Sequence, residues 1–426
     1  MWDKLFQIFQ IKDLRKKIFY VISLLIIFRL AAHIPIPGVN IENLQNFFRS
    51  NQILGLLNMF SGSAMENFSV VALGVGPYIT ASIIMQLLTF VVPSIQKMMK
   101  EEGEVGRRKF NQITRYLTVP LSALQGYSMI TLLQRAGQNI IGDLSLFTLI
   151  TTVITLTAGT IFLMWFGELI TEKGIGNGIS LIIFAGIITG IPQGIQQALV
   201  NFDQSKIMEM LIFIVIAVVV VAGIVFITEA QRNIPISYAR RVRGMKMYGG
   251  ISTHLPLRVN QAGVIPIIFA MSLMLFPGMV ANFLVGVKAA WLSSLAKNIV
   301  DLFNNQLFYG VLYFVMVFLF TYFYTAVVFE PKSISENIQK QGGFIPGIRP
   351  GRSTIEYLSK TSNKITLVGA LFLGAVAVLP FIMRAAFDIQ SLAIGGTGIL
   401  IVVSVVIETV KQVQSQMVMR DYEKFY

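Results

Sequence analysis

Long apolar runs separated by polar or basic stretches set the pattern of this chain from residue 18 to residue 407. A bilayer core about 30 Å thick is crossed by roughly 20 consecutive apolar residues in a helix. On that measure ten spans are predicted, at residues 18–34, 70–92, 113–133, 144–170, 179–195, 208–228, 262–284, 307–329, 365–387 and 392–407. None shows the period-two alternation of a barrel strand. Ahead of them, Trp2, Leu5, Phe6 and Phe9 recur at helical spacing among polar residues and predict a short helix on the membrane surface. The first run lacks a small-residue cleavage site and continues into "HIPIPG", so it reads as a retained helix rather than a cleaved leader.

Five spans precede residue 201 and five follow it. An odd-numbered half forces its successor into the opposite orientation, which suits an inverted repeat with a pathway at the interface. The expected fold is therefore an all-α polytopic membrane protein of two pseudosymmetric five-helix halves, residues 1–200 and 201–426. Two connections, 230–261 and 330–364, are far longer than the handful of residues usual inside compact domains and are expected to carry function.

Charge distribution orients the chain. Of its 34 Lys and Arg, 27 fall on the N-terminal stretch, on the connections after even-numbered spans with Arg115 at the adjoining start of span 3, and on the C-terminal stretch; 6 fall on the opposite side, counting Arg384 near the end of span 9, and Arg29 lies inside the first span. This asymmetry places both termini in the cytosol. The net charge of +13 is accordingly a topology signal and a cytosolic face suited to anionic lipids. Hydrophobic residues make up 54% of the chain and charged ones 13%.

The chemistry the sequence lacks narrows the function. There is no cysteine, and the histidines are only two, His33 and His254. Neither HExxH nor GxSxG occurs, and "EKGIGNGIS" lacks the Lys-Ser/Thr that completes a phosphate loop, so it predicts a tight turn between spans 4 and 5. A mid-bilayer charge costs about 2.5–3.5 kcal/mol on insertion scales. Glu168, Glu229, Glu330 and Glu408 sit near cytosolic span ends, and Arg29 is within snorkelling reach of the outer surface. A secondary transporter or flippase would need a coupling carboxylate at mid-membrane, and none is found there. No cofactor or metal is expected, no catalysis, and the driving energy must be external. A membrane insertase without a transbilayer pore is a third reading.

Glycine and proline mark where backbone bonding is strained. They occur at Gly74, Gly76 and Pro77 in span 2, Gly186, Gly190 and Pro192 in span 5, and Pro266 and Pro277 in span 7. In the long cytosolic loops, Arg240, Arg241, Arg243 and Lys246 flank Gly244, a pattern for a basic hairpin. "QKQGGFIPGIRPGRST" predicts a rigid turn that holds Arg349 outward.

These residues resemble the SecY family, the central channel subunits of the protein-conducting translocon. The resemblance rests on "FRLAAHIPIPG", "NMFSG", "ALGVGPYITASIIMQLL", "EEGEVGRRKFNQITRY", "FLMWFGELITEKGIGNGISLIIFAGI", "STHLPLRVNQAGVIPIIFA", "FIPGIRPG" and "GGTGILIVV", in family order across nearly the whole chain, with loops nearer the bacterial form. It implies a channel for unfolded polypeptides in the plasma (inner) membrane, not an enzyme. It implies a plug at about 54–67, including Phe60, Ser61, Gly62, Ser63, Ala64 and Met65, and an apolar pore ring of Val75, Ile79, Ile183, Ile268 and Ile401. Taken without the resemblance, those five read as ordinary lipid-facing or core residues. The resemblance further implies a lateral gate between spans 2 and 3 and spans 7 and 8, with Thr80, Gln86, Asn260 and Gln261 as its polar residues. Arg349, then Arg240, Arg241, Arg243 and Lys246, become docking residues for the motor ATPase SecA or the ribosome with its nascent chain. SecE and SecG are the implied companions, and secretory and membrane polypeptides the implied substrates. The family often has two basic residues after the glycine matching Gly244; Met245 and Lys246 stand there instead.

Overall fold

The computed structural model describes residues 11–50, 58, 61–100, 102–135, 140, 145–200, 207–238, 241–243, 246–248, 252–284, 290–387 and 396–423. A helix falls on each of the ten predicted spans: α1 (Lys12–Ala31), α3 (Gly76–Val91), α5 (Gly103–Arg135), α6 (Leu146–Lys173), α7 (Gly178–Val200), α8 (Ile207–Glu229), α9 (Ile265–Leu284), α11 (Gln306–Val328), α13 (Arg352–Phe387) and α14 (Gly396–Glu423). Between them lie α2 (Ile41–Ser50), α4 (Pro93–Lys100), α10 (Ala290–Asn304) and α12 (Pro331–Lys340). Among the described residues, five helices are long and apolar enough to cross a membrane by length and composition alone, six if α3 and α4, bent by 108°, count as one span. The surface helix expected around Trp2 to Phe9 lies outside the described residues.

Several boundaries differ from the apolar runs. Span 2 was expected from residue 70, but residues 70–75 are turn and α3 begins at Gly76. Pro77 therefore stands in a first turn, where its missing N–H costs no helical bond, and the Gly-Pro pair starts a helix rather than breaking one. Pro266 plays the same part in α9, whereas Pro192 and Pro277 lie inside their helices. At the ends bearing the basic connections the helices outrun the apolar text. α5 begins at Gly103 rather than 113, α13 at Arg352 rather than 365, and α14 continues to Glu423 rather than 407. Water competes there with polar side chains but not with backbone bonds already made within a helix, so helix and hydropathy need not end together.

The long connections are folded structures. β1 (Gln231–Tyr238) pairs antiparallel with β4 (Ser252–Arg258) on one edge and with β5 (Gly343–Phe344) on the other. One sheet thus ties the connection after α8 to the connection after α11, over a small core of Ile234, Leu257, Ile345 and Leu358. β2 (Arg241–Arg243) and β3 (Lys246–Tyr248) form the basic hairpin, with Arg243 opposite Lys246. Its tip at Gly244 and the predicted docking residue Arg240 lie outside the described residues.

Helices before and after residue 201 meet along two seams. On one, α9 packs against α3 and α5, and Phe90 of α3 lies 4.9 Å, ring to ring, from Phe323 of α11. On the other, α14 packs against α7. Two ion pairs link span ends: Arg115 Nε reaches Glu168 Oε1 at 2.6 Å, and Lys411 Nζ reaches Glu229 Oε1 at 2.8 Å. The turn between α6 and α7 is held by Asn177, whose Oδ1 accepts from Ile179 N at 3.1 Å and Ser180 N at 3.2 Å. That is a helix N-cap, and it accounts for the tight turn expected at "EKGIGNGIS".

Candidate functional site

Between the seams, aliphatic side chains from four helices pack into one cluster. Val75 caps α3, Ile79 follows one turn later, Ile183 lies on α7, Ile268 on α9 and Ile401 on α14. All five are buried in one apolar cluster. Val75, Ile79, Ile183 and Ile268 line a void of about 60 Å³ together with Ser61, Met65, Met271 and Ser272, while Ile401, the fifth expected ring residue, is fully buried and does not line it. Ile79 and Ile268 also line a second, much larger cavity of about 960 Å³, and they are the two side chains the cavities share. Its other walls are mostly polar and charged, among them Arg107, Arg108, Arg115 and Glu168, with Ile179, Ile265 and Phe269 as apolar members. A polar vestibule therefore narrows to an aliphatic neck, and the space beyond the neck has few polar partners for water. Met271 and Ser272 were not anticipated. Met271 follows Ile268 at the i+3 position, so the helical period of span 7 was the signal that could have found it.

Beyond the neck the chain folds back into the bundle. Asn58 organises the turn: its carbonyl accepts from Ser63 N and Ser61 Oγ, both at 2.9 Å, and its side chain clamps Glu66 through Nδ2 to Oε2 at 2.7 Å and from Glu66 N to Oδ1 at 2.9 Å. Ser61, Ser63, Ala64 and Met65 are buried. Phe60 lies outside the described residues. The segment then leaves through Phe68 and Ser69, which pair with the loop after α1: Ile36 N donates to Phe68 O at 2.9 Å and Val70 N to Ile34 O at 3.0 Å.

Gly62 is the tightest point of this seat. Its φ is +69°, and a Cβ there would lie 2.9 Å from Gly186 Cα and 3.3 Å from Phe28 Cζ. The glycine of span 5 that looked like a helix break thus gives room for the segment. Gly62→Ala is expected to loosen the seat. The left-handed backbone alone costs a side chain about 1–2 kcal/mol, or roughly tenfold in the population of unseated segment. In this cysteine-free chain, a Ser61→Cys probe should react faster with a membrane-impermeant maleimide when Gly62→Ala is added; equal rates would count against the tight seat.

The expected gate residues lie along the first seam. Thr80 Oγ1 donates to Gly76 O at 3.1 Å, and Gln86 Nε2 donates to Ser82 Oγ at 3.2 Å, both within α3, while Gln86 Oε1 is buried with no protein partner. Gln86 also lines the vestibule. Asn260 and Gln261, in the turn before α9, bury amide atoms that have no protein partner. Arg29 departs from its expected snorkelling pose. It is half-buried, and its Nη1 donates to the carbonyl of Gly62. Arg349 is exposed on a loop held from within, by Ile348 N to Ile345 O at 3.0 Å and Thr354 Oγ1 to Arg349 O at 3.1 Å. Arg241, Arg243 and Lys246 fall on the hairpin, apart from the constriction.

A bundle of helices around a constricted axis, with a vestibule on one side and a folded-in segment on the other, defines a polytopic helical membrane channel. The SecY family profile matches residues 69–410. The chain is 44% identical to the protein translocase subunit SecY of Streptomyces galbus over 98% of both chains. It is 42% identical to that of Thermotoga maritima, over 100% of this chain and 98% of the relative. It also superposes on a solved structure of a protein conducting channel with a TM-score of 0.61 at 20% identity, covering 94% of this chain and 91% of that one. Canine Sec61, in a ribosome-channel complex from the endoplasmic reticulum, superposes with a TM-score of 0.59 at 20% identity over 94% of this chain and 91% of that one. The chain belongs to the SecY family.

Proposed function

We propose that the chain is the channel subunit of a protein translocase, passing unfolded polypeptides across the membrane and releasing apolar segments sideways into lipid. It is a conduit and not an enzyme. The observation that carries this reading is the pair Ile79 and Ile268, which separates a polar vestibule from a small apolar void. Aliphatic side chains can deform around an extended chain of any sequence, and they disfavour a continuous water column when none is present.

The remaining roles follow on that reading. The segment at 54–67 is the plug, and its self-contained turn lets it leave as a unit. The seam of α3 and α5 against α9 and α11 is the lateral gate. Opening it would give the unpartnered amides of Asn260 and Gln261 access to water or to a passing chain. Residues 1–200 and 201–426 act as two halves. The protein sits in the plasma (inner) membrane with both termini cytosolic, its basic face on anionic lipids. The sheet-bound loops bearing Arg349, and the hairpin of Arg241, Arg243 and Lys246 with Arg240 beside it, receive SecA or the ribosome. A canine relative is known in complex with the ribosome, which supports that partner. SecE and SecG are its companions.

The test is site-specific crosslinking from Ile79 and Ile268 to a stalled secretory polypeptide in reconstituted vesicles. Adducts are expected at both positions and not from Leu319, which is 53% exposed on α11. Active translocation with no adduct at either isoleucine would place the path elsewhere.

A further inference from the structure

Arg29 is a cation within the first span, and topology does not account for it. It lies on α1 33 positions before Gly62, yet its Nη1 donates to the Gly62 carbonyl. The neighbouring Phe28 is buried, and its ring lies beneath the same glycine. The one carboxylate in the segment, Glu66, is held by Asn58 instead. His33 Nδ1 donates to the Arg29 carbonyl at 2.8 Å, tying the last turn of α1 together at this point. An arginine at membrane depth needs a partner. Here the partner is a backbone dipole of the segment that must move.

We propose that Arg29 is a positioning residue that latches the plug in its closed seat through the Gly62 carbonyl, and that channel opening includes release of this bond. The proposal rests on the plug reading above. A carbonyl suits a latch of this kind. A charge-assisted hydrogen bond is strong while the site is dry, and when the segment leaves and the axis fills with water, the guanidinium is rehydrated without leaving a carboxylate unpaired. The latch therefore favours the closed arrangement alone. Gly62 supplies both features: its lack of a side chain lets the segment approach α1 and α7, and its left-handed backbone goes with a carbonyl turned to Arg29.

The test uses the full chain with its companion subunits in planar bilayers, reading ion conductance with no substrate present. Arg29→Leu is expected to raise idle conductance roughly ten- to hundredfold, the range for losing a hydrogen bond to a charged group. Arg29→Lys, which keeps the charge, should stay near the parent. In a channel already lacking residues 54–67, Arg29→Leu should add nothing. If the deletion leaks but Arg29→Leu is as tight as the parent, the latch is wrong and the plug stands. If Arg29→Leu adds its full leak to the deleted channel, Arg29 supports the bundle rather than the plug. If the deletion itself does not leak, the plug reading fails and the latch with it. Should Arg29→Leu not assemble, Arg29→Gln carrying Ser61→Cys replaces it: faster maleimide labelling than in the Ser61→Cys parent is expected, and equal rates overturn the proposal.

Discussion

Deleting residues 54–67 is expected to leave a channel that still translocates polypeptides but conducts ions when idle. The cut removes both ends of the Asn58–Glu66 clamp together, so neither is left half-satisfied. It stops short of Phe68 and Val70, whose backbone bonds to Ile36 and Ile34 keep the loop after α1 in place. What is lost is the packing beneath the neck. Burying a side chain the size of Met65 is worth about 1.5–3 kcal/mol, a bias of roughly ten- to hundredfold toward the closed arrangement. Idle conductance in planar bilayers should rise by that order. The aliphatic neck remains, so polypeptide passage and its dependence on an external motor should persist. Unchanged conductance would mean that Val75, Ile79, Ile183, Ile268 and Ile401 seal the axis by themselves, and that the buried segment is structural.

The spans were legible in the sequence because lipid leaves the backbone few options. Once a run is apolar and long, helix is the one local structure that satisfies its own hydrogen bonds. The seat of Gly62 was not legible in the same way. Its three contacts, Arg29, Phe28 and Gly186, come from two other helices, and no periodicity links them. Arg29 illustrates the difference. Its depth in the span suggested a side chain reaching outward to water, whereas its partner is the Gly62 carbonyl, which arrives only after the chain has folded back.

The neck was hidden for a different reason. Aliphatic residues that face a pore, a core or lipid have the same composition, so Ile79 and Ile268 could be singled out only by resemblance to a family. Their shared lining of two cavities is a property of the packed bundle. The elements of the two long connections lie between these cases. Glycine and proline spacing predicted a rigid loop around Arg349, and the hairpin register pairs Arg243 with Lys246 as the basic pattern suggested. The sheet joining β1 to β5 across the two connections depends on a pairing more than a hundred positions apart, Ser237 with Phe344, which no local pattern announces.

Replacing Arg349 with Glu is expected to abolish most motor-driven secretion while the channel folds and inserts normally. The fold should tolerate the change, because the loop uses the Arg349 carbonyl, not its side chain, as the acceptor for Thr354 Oγ1. Ser335 Oγ donates to Gly351 O at 3.3 Å and fixes the far end of the same turn to α12. Docking should not tolerate it. A rigid, exposed arginine loses little entropy on binding, and arginines of this kind are common among the few residues that dominate an interface, where truncation costs about 2–4 kcal/mol. Reversing the charge adds repulsion to that loss, so motor affinity should fall by roughly a hundredfold or more. The measurement is SecA-dependent translocation into vesicles, read beside the yield of assembled channel and direct SecA binding at several salt concentrations. Normal assembly with lost binding assigns Arg349 to the docking surface. Wild-type translocation in Arg349→Glu would instead shift docking to the hairpin of Arg241, Arg243 and Lys246, a separate two-stranded sheet inserted between β1 and β4.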